Sequence, residues 1–265
     1  IPTAVTAFGE DALAKFSSSD SSDLAMSVPN FQSSLVYGKA QPIFTIRGIG
    51  SSDYNSSLHT PIGVYVDEVY LSANYQHGLT MFDLERVEVL RGPQGTLYGR
   101  NTTGGAINFI SRAPNYETDG YIGVTAGNYE RRGLNGAFET VLLDEVLTAR
   151  LAFDYNNADD FFKNTVGSDL SDENNYAVRL SMRADFSDDL NAIFRLTTAR
   201  SDSHARAPRS IGLLSGNSNI VGPVSNNDND GGRLNRTGLM KVESDIAALT
   251  INYDINEQLQ LTSIT

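Results

Sequence analysis

The reading of the fold turns on residues 84–111, LERVEVLRGPQGTLYGRNTTGGAINFIS. Two short β-rich runs, 86–90 and 106–110, bracket Gly92 to Gly105, fourteen residues that hold five glycines and one proline. Glycine at this density marks a chain that turns tightly, because it tolerates φ > 0 where other residues clash. The segment resembles a phosphate-cradling loop only superficially. It has no lysine before a Ser or Thr at the required spacing, and no helix follows it. The fitting reading is a tightly folded loop with Tyr98 offering an aromatic face and a hydroxyl near its apex.

Working outward, further β-rich runs lie upstream at 43–46 and 64–71, separated by glycine turns. FTIRGIG (44–50) ends a strand on Arg47 and turns sharply through Gly48-Ile49-Gly50, while VYVDEVYL (64–71) reads as one strand. A weak helix is expected to start near Gly9, where Glu10 and Asp11 place negative charge on its N-terminal dipole, and to fade at the serines of 17–22. Residues 1–113 thus read as a small mixed α/β domain.

After Pro114 the pattern changes to long segments that alternate strictly, the period-2 signal of a strand with two different faces. Leu147, Ala149, Leu151, Phe153 and Tyr155 point one way, and Thr148, Arg150, Ala152 and Asp154 the other. Tyr176, Val178, Leu180, Met182, Ala184 and Phe186 repeat the pattern against Ala177, Arg179, Ser181, Arg183 and Asp185, a face too charged for a buried core. Residues 190–196, 247–253 and 258–265 follow the same rule, for about seven strands in all. Each is close to the ~9–11 residues that a tilted strand needs to cross a bilayer. Expected turns at 144–145, 187–189 and 256–257 are tiny, whereas the connections 156–175 and 201–239 are long and polar. That alternation is the layout of an outer-membrane barrel, with tight periplasmic turns and long extracellular loops. A soluble sandwich explains the two faces but not the strand length together with the loop asymmetry. An open sheet cannot span a membrane, since its edges would expose unpaired backbone to hydrocarbon. The chain is therefore expected to be a piece of a longer protein.

Composition narrows the alternatives. The chain has 265 residues, 40% of them hydrophobic, and no cysteine, which excludes disulfides, thiolate metal sites and cysteine nucleophiles. No stretch approaches the ~20 apolar residues of a membrane helix, so membrane association must come from strands. The net charge of −12 disfavours nucleic acid as a partner. Residues 1–113 carry 7 basic and 10 acidic side chains and residues 114–265 carry 13 and 22, so the acidity lies mainly in the second part.

Taken in order, IPTAVTAF (1–8), FTIRGIG, VYVDEVYL and VLRGPQGTLYGRNTTGGAINFIS resemble the plug domain of TonB-dependent outer-membrane receptors. The resemblance covers roughly the first 113 residues. It implies a plug at 1–113 and, at 114–265, the first strands of an antiparallel transmembrane barrel that the family closes with about 22. It also implies active uptake of a scarce nutrient, most often a ferric siderophore. The implied partners are that ligand, outer-membrane lipid and a periplasmic energy-coupling protein of the TonB type. Alternatives within the same resemblance are cobalamin, haem or oligosaccharide uptake, or a receptor that also signals ligand occupancy and carries a further upstream domain. A passive porin is disfavoured because a packed plug obstructs the lumen.

The resemblance also suggests residue roles. Arg47 and Arg91 are expected between plug and barrel wall, where such arginines bind barrel glutamates or, for the first, reach the ligand. The loops 50–61, 72–78 and 98–103 would face outside. They carry Tyr54, His59, Asn74, Tyr75, His77, Tyr98 and Arg100, which suit a polar or aromatic ligand. Neither a cofactor nor a metal bound to the protein is expected, since the histidines His59, His77 and His204 are scattered. Asp159, Asp160, Asp169, Asp172, Glu173, Asp228 and Asp230 either bind calcium or keep the loops solvated, and solvation is the favoured reading. Catalysis is not expected: HExxH, GxSxG and a thiol are all missing, and paired carboxylates such as Asp159 with Asp160, or Asp188 with Asp189, read as solvated turns.

Overall fold

The computed structural model describes residues 4–13, 21–35, 41–51, 59–78, 81–160, 171–204 and 238–265. The first part of the chain builds two small sheets. β1 (Ala4–Gly9), β5 (Ile62–Val66), β6 (Val69–Tyr70), β7 (Leu84–Arg91) and β8 (Gly105–Ser111) form a five-stranded sheet in the order β1-β7-β8-β5-β6. β2 (Phe31–Ser34), β3 (Ile43–Ile46) and β4 (Ile49–Gly50) form a three-stranded one. Helices are short: α1 (Glu10–Leu13), α2 (Ser21–Ser27) and α3 (Gly95–Tyr98), with a 3-10 turn at Asn74–Gln76. β5 and β8 are buried along nearly their whole length. Their Ile62, Val64, Ile107 and Phe109 join Leu24, Phe44, Ile46, Val87 and Val89 in one core.

Two local expectations change. The expected single strand 64–71 is a hairpin, β5 and β6, because Asp67 and Glu68 both adopt left-handed backbone (φ 50° and 68°). Two consecutive positive φ values make the tight turn whose twist suits a hairpin, and Asn-Gly, its usual signal, is missing here. Asp67 is held there by Ser111, whose N–H and hydroxyl donate to its two carboxylate oxygens, each at 2.8 Å. The serines at 21–22 open a second helix rather than close the first. At Gly105 (φ +155°) a Cβ would stand 2.4 Å from the Leu90 carbonyl oxygen, so only glycine lets β8 begin this close to β7.

The second part is an open seven-stranded antiparallel meander, β15-β14-β13-β12-β11-β10-β9. Its strands are β9 (Asp119–Ala126), β10 (Arg132–Leu143), β11 (Leu147–Ala158), β12 (Glu173–Ser187), β13 (Leu190–His204), β14 (Leu239–Asn256) and β15 (Leu259–Ile264). The short turns fall as expected. β11, β12 and β13 run three to four residues further into the expected loops, because backbone pairing continues through polar Asn156, Asn157, Asn174 and Asn175 after the apolar side chains stop.

The two faces of this sheet are inverted relative to a soluble protein. Leu151, Tyr155, Tyr176, Val178, Phe194, Leu196, Leu249 and Tyr253 are exposed, while Thr148, Arg150, Arg179, Ser181 and Thr197 are buried against the first part. The charged face is thus buried after all, because the plug packs on it and supplies its partners. Tyr155 and Tyr176 pair directly across β11 and β12, and Phe186 marks the far end of β12. At about 3.4 Å per residue and a tilt of about 45°, Tyr176 to Phe186 spans about 24 Å, the height of a barrel's apolar band.

Candidate functional site, the seat of the plug in the wall

The first part meets the second through Phe82 and Asp83, which occupy a corner just before β7. The Phe82 ring packs against Ala137, Ala152, Ala177 and Ala199 from four successive strands and against Val242. Alanine at those inward positions leaves room for one large ring. Arg179 closes the contact from above, with its guanidinium 4.4 Å from the ring centroid, Nη1 donating to the Phe82 carbonyl at 3.0 Å and Nε to Thr197 Oγ1 at 3.2 Å. A cation over an aromatic face is stabilising, the more so away from water.

Asp83 turns into the wall with left-handed backbone (φ 48°). Arg150 grips its carboxylate with a fork, Nε to Oδ2 at 2.9 Å and Nη2 to Oδ1 at 2.6 Å, and uses Nη1 to bind Glu139 Oε2 at 2.8 Å. The Tyr121 hydroxyl also reaches Asp83 Oδ1, at 3.3 Å. Glu139 in turn accepts the backbone N–H of Asn115, whose carbonyl accepts the Thr148 hydroxyl at 2.6 Å. The side chains of Arg150, Asp83 and Glu139 are 2%, 4% and 1% exposed, so each charge depends on the others for solvation. A second ion pair joins Arg195 to Asp67, with Nε 3.4 Å from Oδ2. Nearer the opposite rim, Gln76 Nε2 donates to Ser244 Oγ at 2.9 Å.

These contacts orient the plug. Asp83 and Asp67 meet the wall near its short turns, whereas Gln76 meets β14 toward the end that carries the long connection. The segments 72–78 and 98–103 and the Arg47 turn therefore gather at the long-connection end. Tyr65, Tyr70 and Tyr98 cluster beneath it, with the Tyr65 hydroxyl donating to the Tyr98 carbonyl at 2.6 Å and Asn101 donating to the Tyr70 hydroxyl at 3.0 Å.

The residues expected to bind ligand divide into groups. Tyr75, Arg100 and His59 are exposed and Tyr98 is half-buried. Leu97, which drew no notice in the sequence, is 80% exposed beside Tyr98. Asn74 and His77 are corrections. Both lie inside the plug, because the 3-10 turn rotates them away from solvent. Asn74 accepts a hydrogen bond from Gln41 at 3.3 Å, and the His77 ring stacks on Phe44 with Nε2 3.2 Å from the Leu71 carbonyl. Tyr54 lies outside the described residues.

The expected lock of Arg47 and Arg91, whose barrel partners would lie on strands beyond these seven, is not tested by the contacts seen. Arg47 is exposed on a left-handed turn (φ 53°), with its guanidinium beside Gly92, and Arg91 Nη1 donates to the Pro29 carbonyl at 3.3 Å. Among the described residues neither pairs with a carboxylate. The observed ion pairs have the opposite polarity, with arginines on the wall and aspartates on the plug.

Burial holds the His77 imidazole down at a pKa of about 4, so it is neutral in the folded plug. A folded-state pKa below the unfolded value near 6.5 gives stability that is full above about pH 6.5 and is lost as pH falls toward 4. The loss is about 3 kcal/mol. His77→Phe is expected to shrink the drop in thermal midpoint between pH 7 and pH 4.5 in differential scanning calorimetry. An unchanged drop would place the acid sensitivity elsewhere.

Comparison with known proteins fits this geometry. The model of the TonB-dependent receptor plug domain matches residues 1–106. The first 106 residues of this chain are thus a plug domain of the TonB-dependent receptor type. Its plug resembles that of the pesticin receptor of Yersinia enterocolitica, 41% identical over 96 residues, which are 34% of this chain and 13% of that one. The ferrioxamine B receptor of Salmonella typhimurium is 44% identical over 50 residues, 19% of this chain and 7% of its own. Among solved structures, the ferric yersiniabactin uptake receptor FyuA of Yersinia pestis superposes with a TM-score of 0.79 at 20% identity, over 96% of this chain and 39% of that one. The ferripyoverdine receptor of the Pseudomonas aeruginosa outer membrane gives 0.73 at 17% identity, over 96% and 32%. The fold of the plug and of the seven strands beside it is that of these receptors. The chain spans well under half of each relative.

Proposed function

We propose that this chain is the gate and the first wall segment of an energised uptake receptor whose cargo is a metal–chelate complex of the ferric siderophore class. The observation that carries the gating part is the seat of Phe82 and Asp83. A plug fixed to the inner face by buried ion pairs closes the lumen until work is done on it. Ligand arrives at the long-connection end, where Tyr75, Tyr98, Arg100, His59 and the Arg47 turn present aromatic rings and donors. Arg47 and Arg91 remain candidates for a second clamp on wall strands beyond β15. A periplasmic coupling protein pulls on the segment before Ile1, and the energy is delivered from outside, since the outer membrane holds no ATP. The cargo class rests on the relatives, which are named as receptors for ferrioxamine, yersiniabactin and pyoverdine complexes.

The test is accumulation of radiolabelled ferric chelates by cells that make the receptor containing this chain, with and without a proton uncoupler. Uptake that needs the receptor and stops on uncoupling is the expected result. Flux that survives uncoupling would make the protein a passive pore, and failure with every ferric chelate would move the cargo to another class.

A further inference from the structure

Three strands of the wall end together at the rim with the long connections: β11 stops at Ala158, β12 starts at Glu173 and β13 stops at His204. Just beyond those ends Asp160 and Asp172 converge on the His204 imidazole. Its Nδ1 lies 3.2 Å from Asp172 Oδ1 and 3.9 Å from Asp160 Oδ1, and the three groups offer ligand atoms within 4.8 Å of one another. Asp172 is fixed in this position because the same Oδ1 accepts the backbone N–H of His204. Nothing in the sequence spacing announces the cluster, since its members come from three separate strand ends.

Two observations set it apart from a solvated acidic turn. The first is the nitrogen. Nδ1 of His204 is shielded from solvent and makes no hydrogen bond, although two carboxylate oxygens stand within 3.9 Å. An imidazolium in an ordinary ion pair would aim its N–H at one of them, whereas atoms arranged about a shared ion need not point at each other. The second is the spacing. Ligand atoms held about 2.0–2.1 Å from a tetrahedral zinc stand about 3.3 Å apart, between the separations of 3.2 and 3.9 Å found here. Calcium takes about six to eight oxygens, and a site of two carboxylates and one imidazole suits a borderline cation instead. Arg131, on the adjoining connection between β9 and β10, is committed to Glu173 at 2.7 Å.

We propose that Asp160, Asp172 and His204 form a binding site for a zinc-class divalent cation that ties the outer ends of β11, β12 and β13 together. The site is separate from the plug seat, and its occupancy does not depend on the cargo. Bound metal fixes the roots of the connections 161–170 and 205–237 at one point on the rim.

The experiment uses the complete, tag-free receptor that contains this chain, stripped with a chelator and titrated with zinc chloride by calorimetry and thermal unfolding. One saturable site per chain and a raised unfolding midpoint are expected. His204→Ala and Asp172→Asn should each weaken zinc binding about tenfold or more, while the folded barrel still shows heat-modifiable migration on gels. Asp160→Asn stands in if either variant fails to assemble. Three results would overturn the proposal: no saturable zinc binding below about 1 mM, zinc affinity unchanged in these variants, or calcium binding that needs Asp172 but not His204. The last would mean an all-oxygen site.

Discussion

Replacing Arg150 with methionine is expected to unseat the plug. Methionine fills much of the same volume but removes the cation between Asp83 and Glu139, whose side chains are 4% and 1% exposed. Two buried carboxylates are then left facing one another without a counter-charge, and breaking a buried pair in this way costs about 3–5 kcal/mol. Part of that is relieved if one carboxylate takes up a proton, so the defect should be smaller at pH 5 than at pH 8. Glu139→Gln in the Arg150→Met background should restore part of the loss by removing one of the stranded charges. Asp83→Asn alone should be milder, because Arg150 keeps Glu139. The measurement is the urea concentration at which protease begins to cut near residue 82 in receptor purified from membranes. A variant as resistant as the parent at both pH values would show that the seat is held elsewhere.

A disulfide between β1 and β7 is expected to abolish uptake. β1 lies at the edge of the five-stranded sheet and, among the described residues, pairs only with β7, with Ala7 opposite Glu88. The inner strands of the same sheet lead to Asp67 and Asp83, which hold them to the wall. Tension applied ahead of Ile1 therefore meets the weakest attachment first, and β1 is the strand to leave. Ala7→Cys with Glu88→Cys brings two Cβ atoms within about 4.5–5.5 Å, close to the range a disulfide spans. Oxidised receptor should accumulate labelled ferric chelate at least about tenfold more slowly than reduced receptor, while ligand binding at the outer rim stays normal. Either single cysteine should behave as the parent. Full uptake by the oxidised pair would mean that the plug moves as one body.

Much of this was legible in the sequence, for physical reasons that differ by region. The wall strands announce themselves because lipid on one side and plug on the other force a strict two-residue period. The plug strands β3 and β8 are short apolar runs next to glycine turns, and β7 shows itself by Val87, Val89 and Leu90 between charged residues. The β5–β6 turn escaped because Asp67-Glu68 adopts left-handed backbone with neither Asn nor Gly, and tertiary bonds from Ser111 sustain it. The plug seat escaped for a related reason. Asp83 sits 67 residues from Arg150, and only the docking of two separate sheets makes them partners. A weak signal was present, since Arg150, Arg179 and Arg195 all fall on the inward phase of their strands, where uncompensated charge demands a partner. Asn74 and His77 were placed on the right loop, but whether a side chain points in or out of a 3-10 turn depends on the core beneath it.

If the plug leaves its seat as proposed, the wall keeps charges that the resting state hides. When Phe82, Asp83 and Asp67 withdraw, the groups that hold them stay behind on the wall: Arg179, Arg150 and Arg195, with Glu139 still paired to Arg150. No rearrangement of the strands is needed to make that surface compatible with water, since the hydroxyls of Thr148, Ser181, Thr197 and Ser244 lie among alanines too small to form a large apolar patch. In the proposed cycle, the residues that clamp the resting plug would line a wetted, electropositive channel, and an anionic metal complex would meet an attractive potential along the vacated route.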